Sequence, residues 1–214
     1  MVSGAYLVEN GRIKDDGALT AEDSAPKNCR KSTKPGVRLT PNHNVLLTDI
    51  KEVDKEAITD ILHNHGVLLD DEIANVIKYS MACPALPTCG LAITESERAL
   101  PDIIRELDGV LQELGLENEK LSVRMTGCPN GCSRPYVADI GFVGRSLDKY
   151  TIFIGGNAAG TRLNKEYKDL VSREDLVNEV RPLLEQFKEN RRSSEGFSDY
   201  WNRVGLEETE DIPA

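Results

Sequence analysis

The chain has 214 residues, 39% of them apolar, and a formal charge of -10. That length and apolar content suffice for a buried core and set disorder aside. An acidic balance with no basic run interleaved with aromatics excludes nucleic acid as a partner, and no long apolar run suggests a membrane span.

Residues 6–8, 37–40 and 45–48 are rich in branched side chains and read as short strands. A helix follows, with Val53, Ala57, Ile58, Ile61 and Leu62 on one face and Gly66 as a left-handed cap. Pro101 opens a second helix, whose stripe of Ile103, Leu107, Val110, Leu111 and Leu114 is closed by Gly115. Residues 121–125, 137–143 and 150–154 read as strands, the last running into the turn Gly155, Gly156, Asn157, Ala158, Ala159, Gly160. Alone, that turn is a weak phosphate-loop signal and equally an ordinary strand-to-loop turn. Ser172 suits the N-cap of a last helix with a stripe of Leu176, Val177, Val180, Leu183, Leu184 and Phe187. Pro182 interrupts that stripe, so a kink or two short helices are expected.

Chemistry concentrates in two cysteine pairs. Cys83 and Cys89 stand in ACPALPTCG with C-x5-C spacing, and Cys128 and Cys132 in TGCPNGCSRP with C-x3-C spacing. Four thiolates are the ligand set of a cubane cluster, and each pair is tight enough for one loop to offer both sulfurs. Structural zinc favours shorter C-x2-C knuckles, so zinc fits less comfortably, and buried or redox cysteines without metal remain an alternative. No secretory leader is visible, which points to a reducing, cytoplasmic compartment and away from disulfides. Pro129, Asn130 and Gly131 form a compact turn whose N–H groups face nearby sulfur, and Pro84 and Pro87 restrict the first loop. His43, His63 and His65 do not form a metal-ligand pattern.

The stretches MACPALPTCGLAITESERALPD and RMTGCPNGCSRPYVADIGFVG closely resemble the sirohaem-binding half of the assimilatory sulfite and nitrite reductase hemoproteins. The resemblance continues through VENGRIKDDG and VRLTPNHN upstream, and through IFIGGNAAGTRLNKEYK and EGFSDYWNRVG downstream. It implies an α/β (α+β) chain with a partial ferredoxin-like half-domain over residues 1–68, a sirohaem and [4Fe-4S] cluster-binding α/β domain over 69–206, and an acidic tail over 207–214. It also implies that Cys83, Cys89, Cys128 and Cys132 hold the cluster, with the Cys132 sulfur bridging to the sirohaem iron. Asn130, Arg38, Thr40, Asn42, Asn44, Gly156 and Asn157 are the further cofactor contacts it suggests. His43 stands where many family members carry Gln. Arg124, Arg134, Arg145, Arg162 and Lys165 offer positive charge for anions, although each also suits an exposed surface charge. No general acid can be assigned.

The implied reaction is the six-electron reduction of sulfite to sulfide in sulfur assimilation, fed by ferredoxin or an NADPH-flavoprotein subunit. The NGCSRP form leans to sulfite over nitrite. The resemblance covers only the second of two pseudo-repeated halves, so a working enzyme needs the first half from elsewhere. Residues 20–32 are polar where the family places an amphipathic helix, and a one-base shift could restore a stripe of Leu, Leu, Ile and Val. A local frameshift is therefore expected there, which would make Cys29 no ligand. Two readings outside the enzyme class stand beside this one: a non-catalytic cluster carrier, and a zinc-stabilised or metal-free fragment.

Overall fold

The computed structural model describes residues 2–7, 35–64, 66–157 and 159–206. The expectations for residues 20–32, for Cys29 and for the acidic tail lie outside these residues. The chain divides into two compact units, Met1–Ile73 and Ala74–Ala214.

The first unit holds an antiparallel sheet of three strands, β1 (Val2–Leu7), β2 (Gly36–Leu39) and β3 (Asn44–Ile50), in the order β1-β3-β2. Helix α1 (Lys55–Asn64) follows a 3-10 turn over Glu52–Asp54. Val45, Leu47 and Ile50 of β3 pack with Ile58, Leu62 and Val67 into a small core. The expected helical stripe is narrower than its sequence suggests, because the helix begins two residues after Val53, leaving that side chain 85% exposed. Gly66 takes the left-handed conformation, with φ of 71°.

The second unit is built on a five-stranded sheet of β4 (Met81–Ala82), β5 (Val123–Thr126), β6 (Ile140–Ser146), β7 (Lys149–Ile154) and β8 (Lys165–Ser172), adjacent in that order. Strands β4, β5 and β6 run parallel, and β7 and β8 add antiparallel pairs at one edge. Around it lie the one-turn helix α2 (Asn75–Lys78) and helices α3 (Leu100–Leu114), α4 (Leu176–Asn190) and α5 (Phe197–Val204). Register assigns the sheet's faces: Val123 pairs Ile140 and Ile140 pairs Ile154, while Met125 pairs Phe142 and Phe142 pairs Ile152. Side chains of paired residues share a face. All six belong to the apolar cluster that also takes Ile103, Leu107 and Leu111 of α3, Val180, Leu184 and Phe187 of α4, and Tyr200 and Trp201 of α5. One face is therefore dry and carries the helices. The edge-to-face contacts Phe187–Tyr200 and Tyr200–Trp201, with centroids 5.8 and 5.1 Å apart, tie α5 into this core.

Several local outcomes differ from the expectations. Residues 137–139 are not strand: Pro135–Val137 form a 3-10 turn, and β6 starts at Ile140. Asp139 accepts the Ser122 N–H (2.8 Å) and hydroxyl (2.5 Å), which ends the loop where β5 begins. Pro182 neither breaks nor divides α4, which is continuous from Leu176 to Asn190. Pro182 and Asn178, whose carbonyl loses a donor, are both exposed, so the loss falls on the solvent side while the buried stripe holds the helix. Ser172 precedes a 3-10 turn, and its hydroxyl meets the Asp175 carboxylate at 2.5 Å instead of capping a backbone N–H. Strand β8 and helix α5 were not expected: β8 is a polar edge strand whose sequence KEYKDLVS lacks clean alternation.

Leu107 is 1% exposed at the centre of the α3 stripe. Leu107→Ala should destabilise the chain by about 2–5 kcal/mol, read as a lower denaturation midpoint with unchanged denaturant slope.

Candidate functional site

The parallel pairing of β4 and β5 sets Met81 opposite Arg124 and Ala82 opposite Met125. Both chains leave their strands at the same end of the sheet, the carboxyl end, where open α/β sheets place their ligand sites. Cys83 follows β4 directly, and Cys128 follows β5 by two residues. The two cysteine pairs predicted as ligands are thus carried by adjacent loops on one sheet end.

One carbonyl fixes both loops. The Met125 oxygen accepts the Cys83 N–H at 3.1 Å, the Ser96 hydroxyl at 2.7 Å and the Ser133 hydroxyl at 2.7 Å. Ser96 lies beyond the first pair and Ser133 immediately after Cys132, so one acceptor holds three points of the site. Gly127 adds a second tie: its N–H donates to Cys83 Sγ at 3.4 Å, and its carbonyl accepts the N–H groups of Ile93 and Thr94 at 2.8 and 3.1 Å. A Cβ at Gly127 would lie 2.5 Å from the Thr94 carbonyl oxygen and 2.7 Å from Ala85 Cβ, so only glycine allows this approach. Further out, the Tyr150 hydroxyl donates to the Glu95 carbonyl at 2.8 Å and accepts from Thr94 at 3.0 Å. Burial pushes the Tyr150 phenol up to about 12, so it stays protonated as that donor.

The second loop is braced by Tyr136, whose hydroxyl donates to the Pro129 carbonyl at 3.0 Å. Gly131 is left-handed, with φ of 68°, as the turn requires, and a Cβ there would stand 3.0 Å from the Tyr136 ring. The Tyr136 ring in turn meets Phe153 edge-on, with centroids 5.2 Å apart. Burial raises the Tyr136 pKa, and the nearby Cys128 charge pushes it the same way.

The four thiols differ in access. Cys83 and Cys128 are buried, Cys89 is half-buried and Cys132 is exposed. Burial pushes the Cys83 thiol up, opposed by the Gly127 N–H, the Ser96 hydroxyl and the Ala85 backbone, while Cys132 on the other loop pushes it further up. Among the described residues no group of three or more His, Cys, Asp and Glu side chains is arranged to hold a metal ion.

The other predicted residues fall in three places. Asn130 is exposed in the second cysteine loop. Gly156 and Asn157 lie elsewhere: the Gly155 and Gly156 N–H groups bond to the carbonyls of Asp139 and Ala138, level with the start of β5. That is about five residues, or roughly 16 Å of strand, from Gly127. There they line a cleft of about 430 Å³ with Lys120, Arg162, Phe197 and Asp199, and Arg162 pairs with Asp199 at 2.9 Å. Arg38, Thr40, Asn42 and Asn44 belong to the first unit, at and after β2. The Thr40 hydroxyl accepts the Asn44 N–H at 3.1 Å and so closes the β2–β3 turn. Of the candidate cations, Arg145 pairs with Asp169 at 3.4 Å, Lys165 is exposed, and Arg124 is buried, donating to the Arg134 carbonyl at 3.4 Å. Sequence reasoning missed Gly127, Ser96, Ser133 and Tyr136 as supports. The only signal for them was their closeness to the cysteines.

This chain belongs to the family described as the nitrite and sulphite reductase 4Fe-4S domain, whose model matches residues 74–211. It is 41% identical over 202 residues to the sulfite reductase [NADPH] hemoprotein beta-component of Staphylococcus carnosus, covering 94% of this chain and 35% of the relative. It is 42% identical over 200 residues to the sulfite reductase [ferredoxin] of Synechococcus elongatus, covering 94% and 32%. The chain therefore spans about a third of the length of these curated relatives, less than the half that the resemblance implied. Its fold is similar to that of the Mycobacterium tuberculosis NirA protein, with a TM-score of 0.69, 22% identity, and coverage of 80% of this chain and 33% of that one. No helix among the described residues is long and apolar enough to cross a membrane.

The order of thiol access is measurable on the metal-free chain. Alkylation followed by peptide mapping should label exposed Cys132 first and Cys83 last, and Cys83 labelling should accelerate only above the pH at which an ordinary thiol ionises, because its pKa is raised.

Proposed function

We propose that this chain is the C-terminal, cofactor-bearing part of a sulfite reductase hemoprotein. The observation that carries the reading is the joint anchoring of both cysteine loops at the carboxyl end of β4 and β5, through the Met125 carbonyl and Gly127. The names of the relatives supply the substrate, and the description of the family supplies the cluster.

The residues fit a cubane. Four thiols from two loops make up the donor set, with a backbone N–H already donating to one sulfur and a glycine that leaves no space for a side chain beside it. In this reading Cys83, Cys89, Cys128 and Cys132 would hold the [4Fe-4S] cluster, and the exposed Cys132 would lie on the side open to the sirohaem. When bound, the cluster and sirohaem would relay electrons from the external donor, one at a time, to sulfite. The chain's own part is to exclude water from Cys83 and Cys128, hold the Cys83 sulfur by the Gly127 N–H, and keep the Cys132 turn rigid through Tyr136. Asn130 flanks that exposed sulfur as a sirohaem contact. The Thr40 hydroxyl is occupied by its own turn in the first unit, and Gly156 and Asn157, at the far end of β5, stay outside the set. The electrons come from ferredoxin or from NADPH, the two donors that the names of the relatives print, the latter through the flavoprotein subunit that the resemblance implies, and the reducing cytoplasm suits free thiols. Nitrite is the second substrate the family description admits.

Anaerobic expression where sirohaem is made tests this. The chain should hold about four cluster irons with matching sulfide, plus one haem iron. Replacing Cys83, Cys89, Cys128 or Cys132 singly by Ser should remove most of the iron, and Cys29→Ser should leave it unchanged. Full iron in Cys128→Ser, or zinc alone in the parent chain, would sink the reading.

A further inference from the structure

Among the described residues of the second unit, the fully buried hydroxyls have partners with one exception. Thr94, Ser96, Ser122, Ser133, Thr151 and Ser198 each hydrogen-bond to a named group. Thr126 is 1% exposed and its hydroxyl has none. Burying a hydroxyl without a partner is unfavourable, and valine would fill the same volume without that cost.

The position of Thr126 indicates what the hydroxyl is for. It is the last residue of β5, preceding Gly127, whose N–H already donates to Cys83 Sγ, and two residues before Cys128. Val123 and Met125 face the helix-packed core, so Arg124 and Thr126 face the other side of the sheet. Beside Arg124 that side is covered by the turn that follows the second cysteine pair, since a Cβ at Gly141, opposite Arg124, would lie 2.5 Å from the Pro135 carbonyl oxygen. Arg124 is 5% exposed there, and its Nε is likewise buried without a partner. The floor beneath the loop thus carries two unused donors.

We infer that Thr126 is a positioning and tuning residue, whose hydroxyl donates a hydrogen bond to a sulfur acceptor of the cluster held by the four cysteines. The inference rests on the proposed cluster. A donor to sulfur stabilises the more negative, reduced cluster, so it raises the reduction potential, and the buried Arg124 charge acts in the same direction.

The test uses this chain loaded with its cluster, together with Thr126→Val, Thr126→Ala and Thr126→Ser. Iron and sulfide content come first. The reduced-to-oxidised ratio of the cluster is then measured at a fixed poise with dye mediators. The valine and alanine variants should load iron, and each should show that ratio lowered about tenfold, which is about 59 mV for a one-electron couple. The serine variant should restore it. Without metal, Thr126→Val should melt no earlier than the parent, because it only removes an orphan hydroxyl; alanine serves if valine does not fold. Parent-like ratios in the loaded hydroxyl-free variants would overturn the inference and leave the cluster reading standing. A parent chain without iron and sulfide would overturn the cluster reading, and this inference with it.

Discussion

The Met125 carbonyl is the constraint on which the cysteine site depends. It stands at the carboxyl end of β5, where the ladder to β4 ends, and receives the Cys83 N–H and the hydroxyls of Ser96 and Ser133. Each donor belongs to a segment that carries or flanks a cysteine pair. Residues 83–89 and 128–132 are far apart in sequence, and loops ordered independently would have to be brought together by the metal. Here the sheet has already spent that ordering entropy, and the bound group meets a framed site.

The two faces of the sheet divide the labour. Paired positions along β5, β6 and β7 bury Val123, Met125, Phe142 and Ile152 against three helices, and this dry side fixes strand register. The opposite side carries Arg124, Thr126 and Thr151, and over it the chain folds back through Pro135 and Tyr136 before β6 begins. A parallel strand order requires this return, because β5 and β6 point the same way. The residues between Cys128 and Asp139 therefore act both as crossover and as roof. Cys132 is left at the exposed edge and Cys128 underneath. Access differs between the thiols because of topology, before any chemistry of the sulfurs themselves.

Much of this was legible in the residues. The α3 stripe and its Gly115 cap, the α4 stripe, and the strands leading into the second cysteine pair follow from periodicity and capping residues. What was not legible depended on tertiary context. Strand β8 takes its structure from pairing with β7, since its own sequence alternates poorly. Pro182 is tolerated because it faces water. The expected strand over 137–143 starts three residues late, at Ile140, because a 3-10 turn takes Pro135–Val137 and Asp139 is held by Ser122. At the site, the cysteines announced themselves by spacing. Their supports did not, because Ser96 and Ser133 act through a backbone carbonyl and Gly127 through the space it leaves empty. The glycine-rich turn at Gly156 suggested a ligand loop, yet register puts it at the opposite end of β5.

The measurement that bears most directly on the central claim is iron K-edge X-ray absorption of the loaded chain, compared with a Met125-neighbouring variant, Ser133→Ala. The account predicts an iron shell dominated by sulfur, with the minor nitrogen shell of one haem iron, together with an iron-iron shell in the parent chain, and weaker occupancy of the same cluster when the Ser133 hydroxyl no longer reaches the Met125 carbonyl. Bound iron without an iron-iron shell, or a site that takes only zinc, would contradict it.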